Sequence, residues 1–289
     1  MRITNKTIII GSIFLILVVT FISLMRTSQK NDLVQYMISQ TAQDANDPIN
    51  YDYTEIAADV IRRKMRTKPK GVVIIDIRPS TQFTHEHIVN SLSFPIDKLI
   101  DGNIAPNYNA DMVVVAFDTL NANLISQAVK ILEKQNAYVV ALSGGIQAWR
   151  NSGGAMISAG DPHSIVDVAK IHPLSQDDLL AIIAAKRAGT DYKYVILDIR
   201  PRAQFDHGHI PYAINLPLTD LEHNAHVLPA TKTIIVYGAT AIDSFRGGVQ
   251  LYDLNFTTAK TLDGGYIDWV RNNHETIKNK NAESSKNHR

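Results

Sequence analysis

The chain has 289 residues, 45% apolar and 20% charged, with 29 Lys+Arg against 28 Asp+Glu and no cysteine. The missing thiol excludes disulfides, thiolate or persulfide nucleophiles and Cys-ligated zinc or iron–sulfur centres, while the apolar share excludes wholesale disorder and the length suits one large or two ordinary domains. A formal net charge of +1 without a local basic stripe gives no drive toward nucleic acid, and none is expected as a partner.

The first element is a run of 19 uncharged, mostly aliphatic residues, Thr7 to Met25, between Lys6 and Arg26. As a helix it would extend roughly 28 Å, enough to span a bilayer. It exceeds the ~7–15 residue core of a signal peptide, and Leu24-Met25-Arg26-Thr27 offers no small-x-small cleavage pair. Residues 1–26 are therefore read as an uncleaved transmembrane anchor, with the lipid bilayer as its partner. Arg2 and Lys6 on one side face Arg26 and Lys30 on the other, a slight positive-inside bias that puts the globular part outside the cytoplasm. The expectation is a single-pass protein of the cytoplasmic membrane with its domains in the periplasm. Residues 27–49, rich in Ser, Gln, Asn, Asp and Thr, read as a stalk.

The remainder is written twice. Val72-Val-Ile-Ile-Asp-Ile-Arg-Pro79 recurs as Tyr194-Val-Ile-Leu-Asp-Ile-Arg-Pro201, an offset of 122 residues, and Gln82-Phe83, His87-Ile88 and Pro95 recur at the same offset. Leu142-Ser-Gly-Gly145 with Trp149 recurs as Leu262-Asp-Gly-Gly265 with Trp269, at an offset of 120, so two deletions fall between the motifs. A period this long is a domain duplication rather than a solenoid, whose repeats run about 20–50 residues.

Each copy begins with a helix: Asp52 with Glu55, and Ser175 with Asp178, stand as N-cap and third following residue before periodic apolar stretches at 56–60 and 179–183. A continuously apolar strand follows, ending in Asp-x-Arg-Pro, where proline stops the ladder and opens a loop. A second strand enters at 214–216, and a third, 112–117 or 233–237, is apolar throughout and so buried on both faces. Helices are expected through 125–132 and 245–254, fourth strands at 138–142 and 258–262, and a Trp-bearing helix after each Gly-Gly. Alternating strands and helices of this kind predict α/β architecture: two tandem three-layer domains, each with a parallel sheet, preceded by one transmembrane helix. The boundaries read as 50–152 and 170–272, joined by a linker at 153–169 and followed by a basic disordered tail at 273–289.

Asp-Ile-Arg-Pro, Phe205-x-x-Gly-His-Ile-Pro-x-Ala-x-Asn-Leu-Pro217 and Leu-x-Gly-Gly-x-x-x-Trp are similar to the two signature regions of the rhodanese family, and each copy resembles a rhodanese domain. The second copy is the better match. In the first, Glu86 replaces a motif glycine and Asn90 stands at a later one, where Asn accepts positive φ readily; Tyr212 at that position in the second copy calls for a changed turn. The resemblance implies a sulfur-carrying cysteine directly after the third strand, cradled by backbone N–H groups and a helix N-terminus. In its place stand Gly238 in the second copy and Asp118 or Thr119 in the first. The family's Gly-x-Arg in this loop is also absent.

No catalytic residue is therefore assigned. Asp118 reads as a turn or capping carboxylate rather than an aspartyl nucleophile, since no motif Lys or second carboxylate supports it. Thr240 and Ser244 read as N-caps, and with Arg246 in the first helical turn they form a possible anion-binding set. Asp76, Arg78, Asp198 and Arg200 read as scaffold joined by charge-assisted bonds, and His87 and His209 as motif histidines. The pairs His85/His87 and His207/His209 would share a face on extended chain, yet two ligands do not close a metal site, and no metal or cofactor is expected. The reading is a membrane-anchored, catalytically degenerate tandem protein that binds or scaffolds an unidentified protein partner or small anion. The alternative is a sulfurtransferase of the thiosulfate or mercaptopyruvate type.

Overall fold

The computed structural model describes residues 52–102, 109–118, 122–134 and 137–278. The segments read as anchor and stalk, and the tail from 279, lie outside the described residues. Among the described residues, no helix is long and apolar enough to cross a membrane.

The first copy runs β1 (Glu55–Ile56), α1 (Ala58–Thr67), β2 (Val72–Asp76), α2 (Ser80–His85), β3 (Glu86–Ile88), β4 (Leu92–Ser93), α3 (Ile96–Ile100), β5 (Met112–Ala116), α4 (Ala122–Glu133), β6 (Tyr138–Leu142), α5 (Gly145–Asn151) and β7 (Met156–Ser158). A short helix α6 (Ile165–Val168) leads into the second copy: β8 (Pro173–Leu174), α7 (Gln176–Arg187), β9 (Tyr194–Asp198), α8 (Arg202–His207), β10 (Ala213–Asn215), α9 (Leu218–Asn224), β11 (Thr233–Tyr237), α10 (Ala241–Asp253), β12 (Lys260–Leu262) and α11 (Gly265–Arg271).

Both copies form a five-stranded parallel sheet of the same order, β1-β6-β5-β2-β4 and β8-β12-β11-β9-β10. The central strands carry no polar alternation because helices cover both faces. In the second copy Leu179, Ile183 and Trp269 pack with Ile196, Ile235 and Tyr237 on one side, and Leu221 and Leu251 pack with Leu197, Ile234 and Val236 on the other. In the first, Ala58, Ile61, Ile146 and Trp149 pack on Ile74, Val114 and Val140. Each such Val, Leu or Ile contributes about 1.5–3 kcal/mol on burial.

Three local readings change. Glu55 and Ile56 pair with Ala141 and Leu142 as an edge strand, so the first helix starts at Ala58, with Ala57 as its uncapped N-terminal neighbour. The spacing of Asp52 and Glu55 imitated a cap. In the second copy Ser175 does cap α7, accepting from the Asp178 N–H at 3.1 Å. Proline after the repeated Arg opens a short helix, α2 or α8, rather than a loop, because its fixed φ suits a helix entrance. Finally, each copy extends beyond its tryptophan helix. β7 pairs antiparallel with β3, and the equivalent Ile277 bridges His209. The tryptophan Nε1 groups bond this returning chain, Trp149 to the Ala155 carbonyl at 3.2 Å and Trp269 to the Glu275 carbonyl at 2.9 Å.

Candidate functional site

Sheet register shows which residues of the two copies are equivalent directly after the third strand, the seat where the resemblance implies a cysteine. Asp76 pairs with Ala116 and Asp198 with Tyr237, so the next residues, Phe117 and Gly238, are equivalent. A second bond agrees: the Ile146 N–H donates to the Phe117 carbonyl at 2.8 Å, and the Tyr266 N–H to that of Gly238 at 3.0 Å. By register the residue equivalent to Gly238 is Phe117, the neighbour of Asp118 and Thr119. Asp118 is exposed one residue further on, and Thr119 lies outside the described residues. The offset steps down through 121 at this strand, with one deletion before it and one after, which gap-free counting from either motif could not place.

Both seats are filled from within. In the first copy the Phe117 side chain is buried. In the second, a methyl group built on Gly238 would lie 2.4 Å from Asp243 Cβ and 2.9 Å from its carbonyl carbon, so any side chain there meets the first turn of α10. Four main-chain donors of this loop, those of Gly238, Thr240, Asp243 and Ser244, are bonded within it. Gly238 N–H donates to Ser244 Oγ at 3.0 Å, and Ser244 Oγ donates in turn to the Thr240 carbonyl at 3.0 Å. Thr240 and Asp243 form a reciprocal capping box: the Asp243 N–H donates to Thr240 Oγ1 at 3.2 Å, and the Thr240 N–H to Asp243 Oδ2 at 3.1 Å. A carboxylate of the chain itself therefore takes the helix N-terminus, where an external anion would otherwise gain from the dipole. Thr240 and Ser244 share this loop, but Arg246 stands apart: its Nη1 is 4.0 Å from Asp243 Oδ1 and its Cα packs against Gly160 at the junction of the copies. Asp243 and Phe117 are the residues that sequence reading missed; Thr-x-x-Asp ahead of an apolar helix was the available sign of the first.

Around the seats the motif residues form the same lattice twice. Arg200 Nε and Nη2 grip Asp198 at 3.0 and 2.6 Å, the Arg200 N–H adds a bond at 2.9 Å, and Nη2 also donates to the Gly208 carbonyl at 2.7 Å. Arg78 does the same with Asp76 and the Glu86 carbonyl. These pairs are buried and tie the end of β2 or β9 to the start of the histidine segment. The Arg200 guanidinium additionally lies 3.6 Å from the centroid of the Tyr266 ring. The Tyr266 hydroxyl would sit 2.6 Å from a Cβ on residue 208, so a side chain there would displace that hydroxyl. Tyr237, buried beneath the loop, accepts the Ile210 N–H on its hydroxyl at 3.1 Å; burial and then the Asp198 charge push its pKa up, so it stays a neutral phenol.

The histidines do not present paired ligands. His85 and His207 end helices α2 and α8, whereas His87 and His209 turn inward, stack on Phe83 and Phe205, and place Nδ1 2.9 Å from the carbonyls of those residues. Among the described residues, no group of three or more His, Asp or Glu is arranged to hold a metal ion. Asn90 and Tyr212 both take positive φ, 60° and 64°. Tyr212 thus adopts the family's left-handed turn itself rather than changing it.

The rhodanese-like domain family matches residues 57–152 and 176–272. A probable molybdopterin-synthase adenylyltransferase of Pyropia yezoensis is 25% identical over 97 residues, 34% of this chain and 25% of that protein. The crystal structure of a thiosulfate sulfurtransferase from Pseudomonas aeruginosa is similar over 78% of this chain and 44% of that one, with 18% identity and a TM-score of 0.37. A rhodanese-like domain of an Anabaena protein is similar over 38% of this chain and 83% of that one, with 23% identity and a TM-score of 0.32. This chain spans about a quarter of the length of the curated relative and less than half of the Pseudomonas structure. Matched over more than half of its length by one family in two successive segments, each folded on the same strand order, the chain belongs to the rhodanese-like family and carries the domain in tandem.

Proposed function

We propose that this is a catalytically degenerate tandem rhodanese-like protein that binds or scaffolds, held at a membrane by residues 1–26. The carrying observation is the filled seat: where sulfur transfer requires a thiolate, the first copy buries Phe117 and the second has Gly238 closed over by Asp243. A sequence without cysteine supports the same reading. Cyanolysis with thiosulfate tests it. The full chain is expected to form thiocyanate no faster than the uncatalysed background; thiocyanate above background would establish the sulfurtransferase alternative instead.

The membrane assignment rests on the uncharged run from Thr7 to Met25. An alkaline phosphatase fused after residue 289 and expressed in bacteria is expected to be active. A stable but inactive fusion would place the domains in the cytoplasm.

A further inference from the structure

The two domains meet where Asp253 and Glu222 of the second accept main-chain N–H groups of the first, with Asp167 of the connecting segment alongside. At one end Asp253 accepts the Ser158 N–H at 3.0 Å and pairs with Lys170 at 2.8 Å, while Asp167 binds Lys170 at 2.9 Å, Ser158 Oγ at 2.8 Å and the Asp161 N–H at 2.9 Å. At the other, Glu222 of α9 accepts the Asn90 N–H on Oε1 at 2.5 Å and faces His87 Nε2 with Oε2 at 3.1 Å. Both side chains of this second contact are about nine-tenths buried. His87 therefore has an acceptor at each ring nitrogen, the Phe83 carbonyl at Nδ1 and Glu222 at Nε2. Satisfying both requires two protons, so the closed interface selects the imidazolium; a neutral ring turns one lone pair on an acceptor.

We propose that His87 and Glu222 form a proton-operated latch between the domains, closed on the imidazolium and released when the ring is neutral, with the 158–170 segment as the hinge. The charged groups about it are Glu222 and His223 on α9, Glu86 beside His87 on β3, with Arg150 of α5 paired to it, and Asp76 with Arg78 at the end of β2. Burial opposes a charge on His87, but the hydrogen bond to Glu222 and its negative charge outweigh it and hold the imidazole above its usual range. Burial likewise opposes the Glu222 carboxylate, and His87 and the Asn90 N–H overcome it, holding that group below the usual range. A raised histidine stabilises fully below its ordinary 6.5 and loses that stabilisation as pH climbs through the raised value; a lowered Glu stabilises above 4.5 and loses it only as pH falls through the lowered value. The latch is thus tightest between about pH 4.5 and 6.5 and weakens toward alkaline pH. Across that upper range Lys170 remains a cation between Asp167 and Asp253, its pKa raised because those carboxylates outweigh burial, so the hinge end stays joined.

A chain without cysteine accepts two introduced labels cleanly. Spin labels at the exposed positions Arg66→Cys and Thr257→Cys, one per domain, report the interdomain distance in the solubilised full chain. At pH 6 a single narrow distribution is expected, and at pH 8.5 a second, longer component. Its share should rise by up to about tenfold per pH unit until it levels above the His87 midpoint. His87→Gln and Glu222→Gln should each show the longer component at both pH values, and either suffices if the other fails to fold. A distribution unchanged between the two pH values overturns the latch, as does a pH response that survives Glu222→Gln intact.

Discussion

Asp198→Ala is expected to lower the stability of the second domain by about 3–5 kcal/mol, the cost of leaving a buried cation without its partner. The charge concerned is Arg200, whose side chain is 5% exposed and whose fork is closed on Asp198 by three side-chain and one main-chain bond. Tyr266 and the Gly208 carbonyl remain after the substitution but neither carries a neutralising charge. Against a total of about 5–15 kcal/mol for a domain, the loss is a large share of its stability. Urea unfolding followed by Trp269 fluorescence in a Trp149→Phe background measures it, since each domain has one tryptophan. The more accessible pair Arg202 and Asp206, 3.0 Å apart, is the control: Asp206→Ala should cost no more than about 1 kcal/mol. Equal losses at the two sites would show that Arg200 finds water or another partner and that the lattice is not what ties the loops.

Gly238→Ala is the second large effect, about 1–3 kcal/mol for one added methyl group. Its neighbours at 2.4 to 3.0 Å include the backbone of Asp243 and Ser244 as well as the Asp243 side chain, so no rotamer change alone makes room. Asp243→Gly by itself removes the capping box and should cost about 1 kcal/mol. In the double variant the two losses should fall short of additive, by roughly 0.5–3 kcal/mol, because the clash is shared. Strict additivity in thermal unfolding would mean that the loop moves aside and that the seat is not filled by Asp243. The same geometry governs a restored thiol: Gly238→Cys alone is expected to gain no thiocyanate production, since its Sγ has no cradle until residue 243 gives way.

The duplication, the parallel α/β order and the central strands were legible because two-sided burial leaves an unbroken apolar run that one sequence can show. Tyr138–Leu142 and Thr233–Tyr237 have the bounds that pattern predicts. The edge strand Glu55–Ile56 was not legible, since two residues carry no period and Asp52 with Glu55 supplied a false cap. Nor was the seat of the first copy. Its place depends on pairing between β2 and β5, which are 40 residues apart, and a single deletion hides which residue follows the last pair. The His87 and Glu222 contact joins residues 135 positions apart and left no local pattern at all.

The returning segment after each tryptophan helix bears on the order of folding. The strand core of the second domain is complete at Leu262, but His209 gains its main-chain partner, and Trp269 its acceptor, only from residues 275–277. During synthesis the sheet and helices can collapse before the segment that seals them has been made. The first domain seals itself with Met156–Ser158, whose Ser158 N–H then waits for Asp253, nearly a hundred residues later. During synthesis the Ser158–Asp253 contact between the domains can therefore form only late, and residues 275–277 close the second domain.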